Sequence, residues 1–242
     1  MKKLSLVLLF GATVLLHADV YMAGDSTMYT YGKIFFPKSG WGQMMPEVVK
    51  PGVKVHNYAL GGRSSKSFRG EGHWDKIMQN LKKGDFVIIQ FGHNDGAGGS
   101  VNWYRHASAQ KHFPENLRNY VLDVRVKGAI PVLCTPVAVC YINADGKLYN
   151  TPKHQSYCDA VHQIAKEEKV DVLDLNAYAL KHMSDHPNPK HYFMYLPKGK
   201  FKNYPNGSED GVHLRDHGAR FYAQAAAELA KEQNLPIAKI FK

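Results

Sequence analysis

The sequence is poor in cysteine, and this shortage narrows the classes of protein to which the chain can belong. Three cysteines in 242 residues, Cys134, Cys140 and Cys158, allow at most one internal disulfide. The chain therefore does not fold on a disulfide framework. None of the three has metal-ligand spacing, and we expect them to be buried as small apolar side chains.

Acidic residues are also scarce. The chain has 21 Asp and Glu against 31 Lys and Arg, which gives a formal net charge of +10 at pH 7. It contains no long block of basic residues and no nucleic-acid-binding motif, so we expect no nucleic-acid partner. The positive balance suits an acidic polysaccharide, but a charge of this size also serves solubility alone.

The first 18 residues, MKKLSLVLLFGATVLLHA, have the pattern of a secretory signal. Two lysines precede an apolar run from Leu4 to Leu16, which is short for a membrane span. We predict a signal peptide over 1–18, with a membrane anchor as the alternative. Its removal would leave a mature chain of 19–242 with a charge of +8, secreted or periplasmic and without stable membrane insertion.

The rest of the chain predicts one α/β domain. Its composition, 44% hydrophobic and 21% charged, is that of an ordinary globular protein. Short apolar segments rich in Val and Ile alternate with helical patterns, as in parallel sheets covered by helices on both faces. The sequence predicts a mainly parallel five-stranded sheet in a three-layer α/β/α domain, with strands near 20–24, 53–57, 86–91, 131–135 and 171–175.

Two segments, 92–113 and 186–211, show little regular pattern. Long loops in compact domains are often binding loops. Their Tyr, Phe and Trp residues suit stacking on sugar rings, and they suit the packing of the loops themselves equally well.

A candidate nucleophile follows the first predicted strand, in Gly24-Asp25-Ser26. Open α/β sheets bind ligands at the carboxyl ends of their strands, so Ser26 lies where a reactive hydroxyl would be useful. The alternative is an ordinary turn, because Gly, Asp and Ser are common turn residues.

The next two strand ends carry candidate hydrogen-bond donors. Gly61 and Gly62 follow the second strand, where their backbone amides can approach a ligand closely. Asn94 follows the third strand and has a carboxamide that can donate to an oxyanion. Each stretch is also compatible with a purely structural turn.

Near the carboxyl end, Asp210 and His213 lie three residues apart before the last amphipathic helix. An acid at this separation can orient an imidazole so that its other nitrogen accepts a proton from Ser26. Asp216 and His217 form a rival pair, but adjacent side chains diverge, so we favour Asp210 and His213.

Together these four stretches resemble the SGNH, or GDSL-type, hydrolase superfamily. They look closest to the rhamnogalacturonan acetylesterases in GDST at 24–27, GWG at 40–42, GGRSSKSF at 61–68, FGHND at 91–95 and YPNGSEDGVHLRDHGA at 204–219. The resemblance covers nearly the whole mature chain and implies the flavodoxin-like fold of that superfamily.

The resemblance also implies a role for each matching residue. Ser26 would be the nucleophile and His213 the base, oriented by Asp210. The Ser26 amide, Gly62 and Asn94 would form the oxyanion hole, with Gly61 as the alternative to Gly62. The superfamily needs no metal and no organic cofactor.

The expected function is that of an exported serine esterase that removes acetyl groups from a plant cell-wall polysaccharide, above all rhamnogalacturonan. Arg63 could bind a uronate carboxylate of that polymer, or it could pair with a carboxylate of its own loop. The alternatives are an esterase for acetylated xylan or small acyl esters, a lipase-like enzyme, and a carbohydrate-binding relative without catalysis.

Overall fold

The computed structural model describes residues 18–96 and 104–242. The predicted signal peptide therefore lies outside the described residues except for Ala18. Within the described part of the chain, no helix combines the length and the apolarity needed to cross a bilayer.

A five-stranded parallel sheet forms the centre of the domain, with strand order β2-β1-β3-β4-β5. This is the doubly wound order of the flavodoxin-like folds, in which the chain switches direction beside the first strand. The strands are β1 Val20–Gly24, β2 Val55–Asn57, β3 Phe86–Gln90, β4 Ile130–Cys134 and β5 Asp171–Leu173.

Helices connect the strands and cover both faces of the sheet. They are α1 Trp41–Val48, α2 Ser65–Gly70, α3 His73–Asn80, α4 His112–Val126, α5 Pro152–Glu168, α6 Leu175–His182 and α7 Asp216–Glu232. An antiparallel pair, β6 Phe193–Leu196 and β7 Ser208–Leu214, forms a second small sheet.

The alternation of side chains along β1 explains the three layers, because successive residues of a strand point to opposite faces. Val20 and Met22 belong to a core cluster shared with α1, α6 and α7. Tyr21 and Ala23 belong to a second cluster shared with α2, α3, α4 and α5. All five residues of β1 are buried, which is why the strand is continuously apolar.

The structure confirms the predicted α/β class and all five strands of the parallel sheet. Strand bounds differ by one or two residues: β2 starts at Val55 instead of residue 53, β3 ends at Gln90, β4 runs from Ile130 to Cys134, and β5 ends at Leu173 because α6 begins two residues later. The segment 186–211 is also more regular than predicted, since it contains β6 and the start of β7. Cys134, Cys140 and Cys158 are buried and unbonded.

Candidate active site

Ser26 lies in a tight turn immediately after β1. The Asp25 carboxylate, which is fully buried, fixes this turn by accepting hydrogen bonds from the Thr27 amide at 2.9 Å and the Thr27 hydroxyl at 2.7 Å. The Tyr31 hydroxyl donates to the Ser26 carbonyl at 2.9 Å. A Cβ atom on Gly24 would lie 2.8 Å from Met28 Sδ, so the strand ends on a residue with no side chain. Ser26 is therefore rigidly positioned at the carboxyl edge of the sheet.

Trp41 of α1 supports the same turn from below. Its indole Nε1 donates to Gln90 Oε1 at 2.8 Å, and the Thr27 hydroxyl oxygen lies 3.2 Å from the same oxygen. The Trp41 amide donates to the Thr27 carbonyl at 2.9 Å. These contacts connect the ends of β1 and β3 through α1, and only the GWG motif indicated them in the sequence.

His213 and Asp210 reach Ser26 from β7, 187 positions later in the chain. His213 Nε2 lies 3.0 Å from Ser26 Oγ, and His213 Nδ1 lies 2.6 Å from Asp210 Oδ2. The second oxygen of Asp210 accepts the amides of Val212 at 2.9 Å and His213 at 3.0 Å. This continuous chain of hydrogen bonds can move a proton from the serine hydroxyl to the imidazole.

The hydrogen bonds determine the charge of Asp210. Partial burial would raise its pKa, but the bonds from the His213 ring, the His213 amide and the Val212 amide hold the pKa well below its usual range. An ionised Asp210 accepts a hydrogen bond from Nδ1–H of His213. Nε2 then has no proton and can accept the hydroxyl proton of Ser26. The rival pair has no such geometry, since His217 Nε2 is 4.0 Å from Asp216 and Asp216 pairs with Arg220.

The glycine pair after β2 lies beside Ser26. The Leu60 amide donates to the Gly24 carbonyl at 3.0 Å, which brings the ends of β1 and β2 together. The two glycines are the central residues of a turn closed by the Arg63 amide on the Leu60 carbonyl at 3.4 Å. Gly62 has φ +76°, a conformation that favours glycine at this position of a turn.

The backbone amides around Ser26 are available to a ligand. Among the described residues, the amides of Ser26, Gly61 and Gly62 donate to no protein acceptor. Asn94 Nδ2 donates to the Arg63 carbonyl at 3.0 Å, which uses one of its two N–H groups and leaves the other. Gly62 and Asn94 thus lie together at the cavity, while the choice between Gly61 and Gly62 as the donor stays a prediction.

A second buried carboxylate, Asp95, joins the loop after β3 to the first residue of α2. Its Oδ1 accepts the Ser65 amide at 2.9 Å and the Ser65 hydroxyl at 2.5 Å, and its Oδ2 accepts the Gly92 amide at 3.0 Å. Burial raises the pKa of Asp95 to about 7 although these hydrogen bonds oppose the shift. Asp95 therefore fixes the loop that carries Asn94 without reaching Ser26 itself.

Two neutral histidines line the cavity behind His213. Burial lowers the pKa of His93 to about 4 and that of His154 to about 3. Their rings are 5.2 Å apart, and His154 Nε2 lies 3.1 Å from the Val137 carbonyl. At neutral pH they add no positive charge beside the imidazole of His213.

The site opens into a cavity of about 640 Å³. Besides the residues already described, its walls include side chains that the sequence did not single out: Tyr31, Lys38, Tyr141, Lys153 and Tyr157. The predicted binding loops contribute Gly92, His93, Asn94, Gly96 and Asp210, and residues 97–103 lie outside the described part. The lining aromatic rings come from other segments, a result that only the tertiary structure could provide.

Arg63 has internal partners. Its Nε donates to Glu71 at 2.9 Å and its Nη1 donates to the Gly61 carbonyl at 2.9 Å. This is the alternative role considered for Arg63, the pairing with a carboxylate of its own loop. Over residues 18–96 and 104–242, no cluster of three or more His, Cys, Asp or Glu side chains could hold a metal ion.

Comparisons with known proteins agree on one family. The model of the GDSL-like Lipase/Acylhydrolase family matches residues 22–221. The chain is 34% identical over 221 residues to the rhamnogalacturonan acetylesterase RhgT of Bacillus subtilis, covering 90% of this chain and 92% of RhgT. It is 33% identical over 218 residues to the probable rhamnogalacturonan acetylesterase YesY of the same organism, covering 90% and 94%.

Solved structures show the same fold. The crystal structure of protein YxiM from Bacillus subtilis matches with a TM-score of 0.75 and 26% identity, covering 91% of this chain and 58% of YxiM. The acetylxylan esterase Axe2 from Geobacillus stearothermophilus matches with a TM-score of 0.63 and 17% identity, covering 88% and 93%.

Proposed function

Because the chain belongs to the GDSL-like lipase/acylhydrolase family, we propose that it is a serine esterase that removes acetyl groups from rhamnogalacturonan. The observation that carries this proposal is the hydrogen-bond chain from Ser26 through His213 to Asp210 at the wall of an open cavity. The fold alone would not suffice, because one fold supports many functions.

In the proposed mechanism, Ser26 Oγ attacks the acetyl carbonyl carbon while His213 Nε2 takes the hydroxyl proton. Asp210 stabilises the imidazolium that forms. The tetrahedral intermediate then breaks its bond to the sugar oxygen, and His213 gives its proton to that oxygen. A water molecule attacks the acetyl-serine by the same steps, which releases acetate and restores Ser26.

The oxyanion of each intermediate would form beside the unpaired amides of Ser26 and Gly62 and the free N–H of Asn94. These donors are already fixed by the turns and by Asp95, so little reorganisation is needed when charge develops. Donors that bind the oxyanion better than the ground-state carbonyl lower the barrier of the chemical step.

Two observations support a carbohydrate over a lipid substrate. The lining of the cavity, over the described residues, includes Tyr31, Tyr141 and Tyr157, whereas its only larger aliphatic side chains are Val139 and Val212. Aromatic rings suit sugar faces, and a long acyl chain needs a broader apolar surface. The two curated relatives described above are named for rhamnogalacturonan, and the basic chain suits an acidic polymer.

We also propose that the enzyme works outside the cytoplasm, in the periplasm or the medium. The support is the signal pattern of residues 1–18, followed at once by β1. Amino-terminal sequencing of the exported protein tests this point, with Asp19 as the expected first residue.

Acetate release tests the function. The chain from Asp19 onward is supplied with acetylated rhamnogalacturonan, acetylated xylan and 4-nitrophenyl acetate. We expect the highest kcat/KM on rhamnogalacturonan, and we expect Ser26→Ala to lose turnover on all three substrates. Ser156→Ala is the matched control, because, among the residues that the structure describes, the Ser156 hydroxyl bonds only to the Lys153 carbonyl of its own helix.

Each other outcome would be informative. Turnover that survives in Ser26→Ala would overturn the mechanism. Ser26-dependent hydrolysis of the aryl ester or of xylan, without release from rhamnogalacturonan, would keep the serine esterase and reject the proposed polymer. Binding of polysaccharide without any turnover would favour a non-catalytic carbohydrate-binding protein.

A further inference from the structure

The catalytic cavity continues into a second cavity of about 400 Å³. Tyr31 and Lys38 line both cavities, so the two form one groove, with Ser26 in the wall of the larger cavity. The second cavity is completed by Lys33, Phe36, Gln43 and Asn203. An enzyme that acts on a polymer requires a groove longer than one sugar, because the sugars on either side of the reacting sugar also need space on the enzyme.

The walls of the second cavity are held by hydrogen bonds between distant segments. Asn203 Nδ2 donates to the Lys33 carbonyl at 3.3 Å and to the Phe36 carbonyl at 3.1 Å. The Tyr204 hydroxyl donates to the Phe35 carbonyl at 3.1 Å. The segment between β6 and β7 thus fastens the turn at 33–36, and the cavity between them is a built feature.

Tyr31 forms a fixed wall between the two cavities. Its amide donates to Gln43 Oε1 at 3.0 Å, and its hydroxyl donates to the Ser26 carbonyl at 2.9 Å. The backbone of Lys38 is also fixed, because its amide donates to the Phe35 carbonyl at 2.8 Å and the next amide, of Ser39, donates to Leu214 at 3.0 Å. The two shared residues therefore have defined positions relative to Ser26.

Lys38 carries a positive charge at this junction without a carboxylate partner. Among the described residues, its ammonium makes no hydrogen bond and no ion pair within 4 Å; it lies 5.0 Å from the centroid of the Tyr31 ring, and the Asp210 carboxylate acts on it electrostatically from a longer distance. Asp210, the carboxylate that lines the catalytic cavity, is bound to His213. A half-buried cation left unpaired is costly, and an incoming anion offsets that cost.

The arrangement differs from that of Arg63. The Arg63 guanidinium is neutralised by Glu71, whereas Lys38 faces the groove together with Lys33. The groove therefore has two lysines, Lys33 and Lys38, on the Tyr31 side of Ser26, and a third, Lys153, elsewhere in the catalytic cavity; of the three, only Lys38 lines both cavities. Of the charged groups of a pectic polymer, the uronate carboxylate is the one that suits this position.

We propose that the second cavity is a sugar subsite in which Lys38 binds a uronate carboxylate of the polymer whose acetyl group lies at Ser26. The proposal rests on the esterase function proposed above and assigns its specificity for acidic polymers to Lys38. It adds no chemical step, since Lys38 contacts the substrate and acts on neither the acetyl group nor the serine.

Kinetics on matched substrates test the subsite. Lys38→Met removes the charge and keeps the length of the side chain, and Lys38→Arg keeps the charge. Lys76→Met, on the exposed face of α3, removes the same charge elsewhere. The substrates are acetylated rhamnogalacturonan, the same polymer with its carboxylates reduced to alcohols, and 4-nitrophenyl acetate.

For Lys38→Met we expect kcat/KM on the acidic polymer to fall about 10- to 100-fold, mainly through KM, because a charge-assisted contact is lost. The reduced polymer should lower the wild-type value by a similar factor, and Lys38→Met should then cause no further loss. Hydrolysis of 4-nitrophenyl acetate should fall much less than hydrolysis of the acidic polymer, and Lys38→Arg should retain most of the wild-type activity.

Equal losses on all three substrates would show a structural role for Lys38, and no loss on the acidic polymer would reject the subsite.

Calorimetry with Ser26→Ala and deacetylated rhamnogalacturonan fragments separates this proposal from the function. If the fragments bind to Ser26→Ala but not to the same variant carrying Lys38→Met, and the wild-type enzyme shows no turnover on the polymer, the subsite is kept and the proposed function is rejected. If the wild-type enzyme turns over the polymer but the fragments bind equally well with and without Lys38→Met, the proposed function is kept and the subsite is rejected.

Discussion

At the scale of single residues, the site depends on carboxylates that are held by backbone amides. Asp210 accepts two amides with one oxygen and the His213 ring with the other. The backbone thus fixes the acid, the acid fixes the imidazole, and the imidazole meets Ser26 at 3.0 Å. The negative charge of Asp210 matters for the orientation of His213, because a neutral amide of the same shape would donate to Nδ1 where the carboxylate accepts from it.

Asp210→Asn tests this orientation. The Asn oxygen can still accept the two amides, but its NH₂ group would face His213 Nδ1 and stabilise the tautomer with a proton on Nε2. That imidazole cannot accept the proton of Ser26. We expect kcat to fall about 10³- to 10⁴-fold with little change in KM, measured on 4-nitrophenyl acetate.

The rival acid provides the control. Asp216→Asn alters the neighbouring pair with Arg220 and should leave kcat within about twofold, since the histidine beside it is not bonded to Ser26. Equal losses in the two variants would assign the effect to the start of α7 as a whole and not to the orientation of His213.

At the scale of elements, the strand ends and the first turn of α1 pack backbone against backbone. Gly40 precedes α1, and a Cβ atom there would lie 2.1 Å from the Tyr29 carbonyl oxygen and 2.5 Å from the Met28 carbonyl carbon. The segment it presses on is the one that follows Ser26. Close packing at this point therefore links the stability of α1 to the position of the nucleophile.

Gly40→Ala should lower both stability and activity. Relief of the overlap requires the backbone at Met28 and Tyr29 to shift, and we expect a loss of about 1–3 kcal/mol in the free energy of unfolding. Thermal unfolding should show this as a decrease in Tm of about 2–12 °C, together with a lower kcat/KM.

Gly70→Ala is the matched control, because Gly70 ends α2 with no atom within 4 Å of an added Cβ. We expect its Tm to be equal to or slightly above that of the wild type. A Gly40→Ala variant as stable as this control would mean that the start of α1 can move away from the Tyr29 carbonyl without cost.

The sequence predicted the elements that have strong periodic patterns and missed those that depend on partners. Every strand of the parallel sheet followed from short apolar runs, whereas β6 is only four residues long and pairs across a long connection. The same holds within the site. The spacing of Asp210 and His213 indicated their contact, but nothing local indicates that Asp95 binds Ser65 or that Lys38 lies beside Tyr31.

At the scale of the whole molecule, burial places opposing titrations in one core. Burial raises the pKa of Asp25 to about 6 and that of Asp95 to about 7, and it lowers the pKa of His93 to about 4 and that of His154 to about 3. In the unfolded chain these carboxyls titrate near 3.8 and the imidazoles near 6.5.

The two pairs affect stability with opposite signs. As the pH rises from about 4 to 7, the unfolded chain has already released the carboxyl protons that the folded protein retains, so the aspartates lower the free energy of unfolding. As the pH falls from about 6.5 towards 4, the histidines of the unfolded chain bind protons and those of the folded protein do not. The histidines therefore lower the free energy of unfolding as the pH falls. The sum is a nearly flat profile between pH 4 and 6.5.

Two variants separate these contributions. Asp95→Asn removes the larger carboxyl effect, up to about 4 kcal/mol, so its free energy of unfolding should rise between pH 4.5 and 6.5. His154→Gln removes an opposing effect, so its free energy of unfolding should fall over the same range. Urea unfolding at several pH values measures both slopes. Slopes of the same sign in the two variants would refute the compensation.

Because 187 positions separate Ser26 from His213, the nascent chain contains the serine long before it contains the histidine. A ribosome makes the nucleophile among the first residues of the domain and the base among the last, and domains emerge from the amino end. A nascent or truncated chain that ends before β7 possesses a serine without its base. If Ser26 and His213 act as proposed, such a chain has no esterase activity, and activity begins only after β7 has been added to the chain.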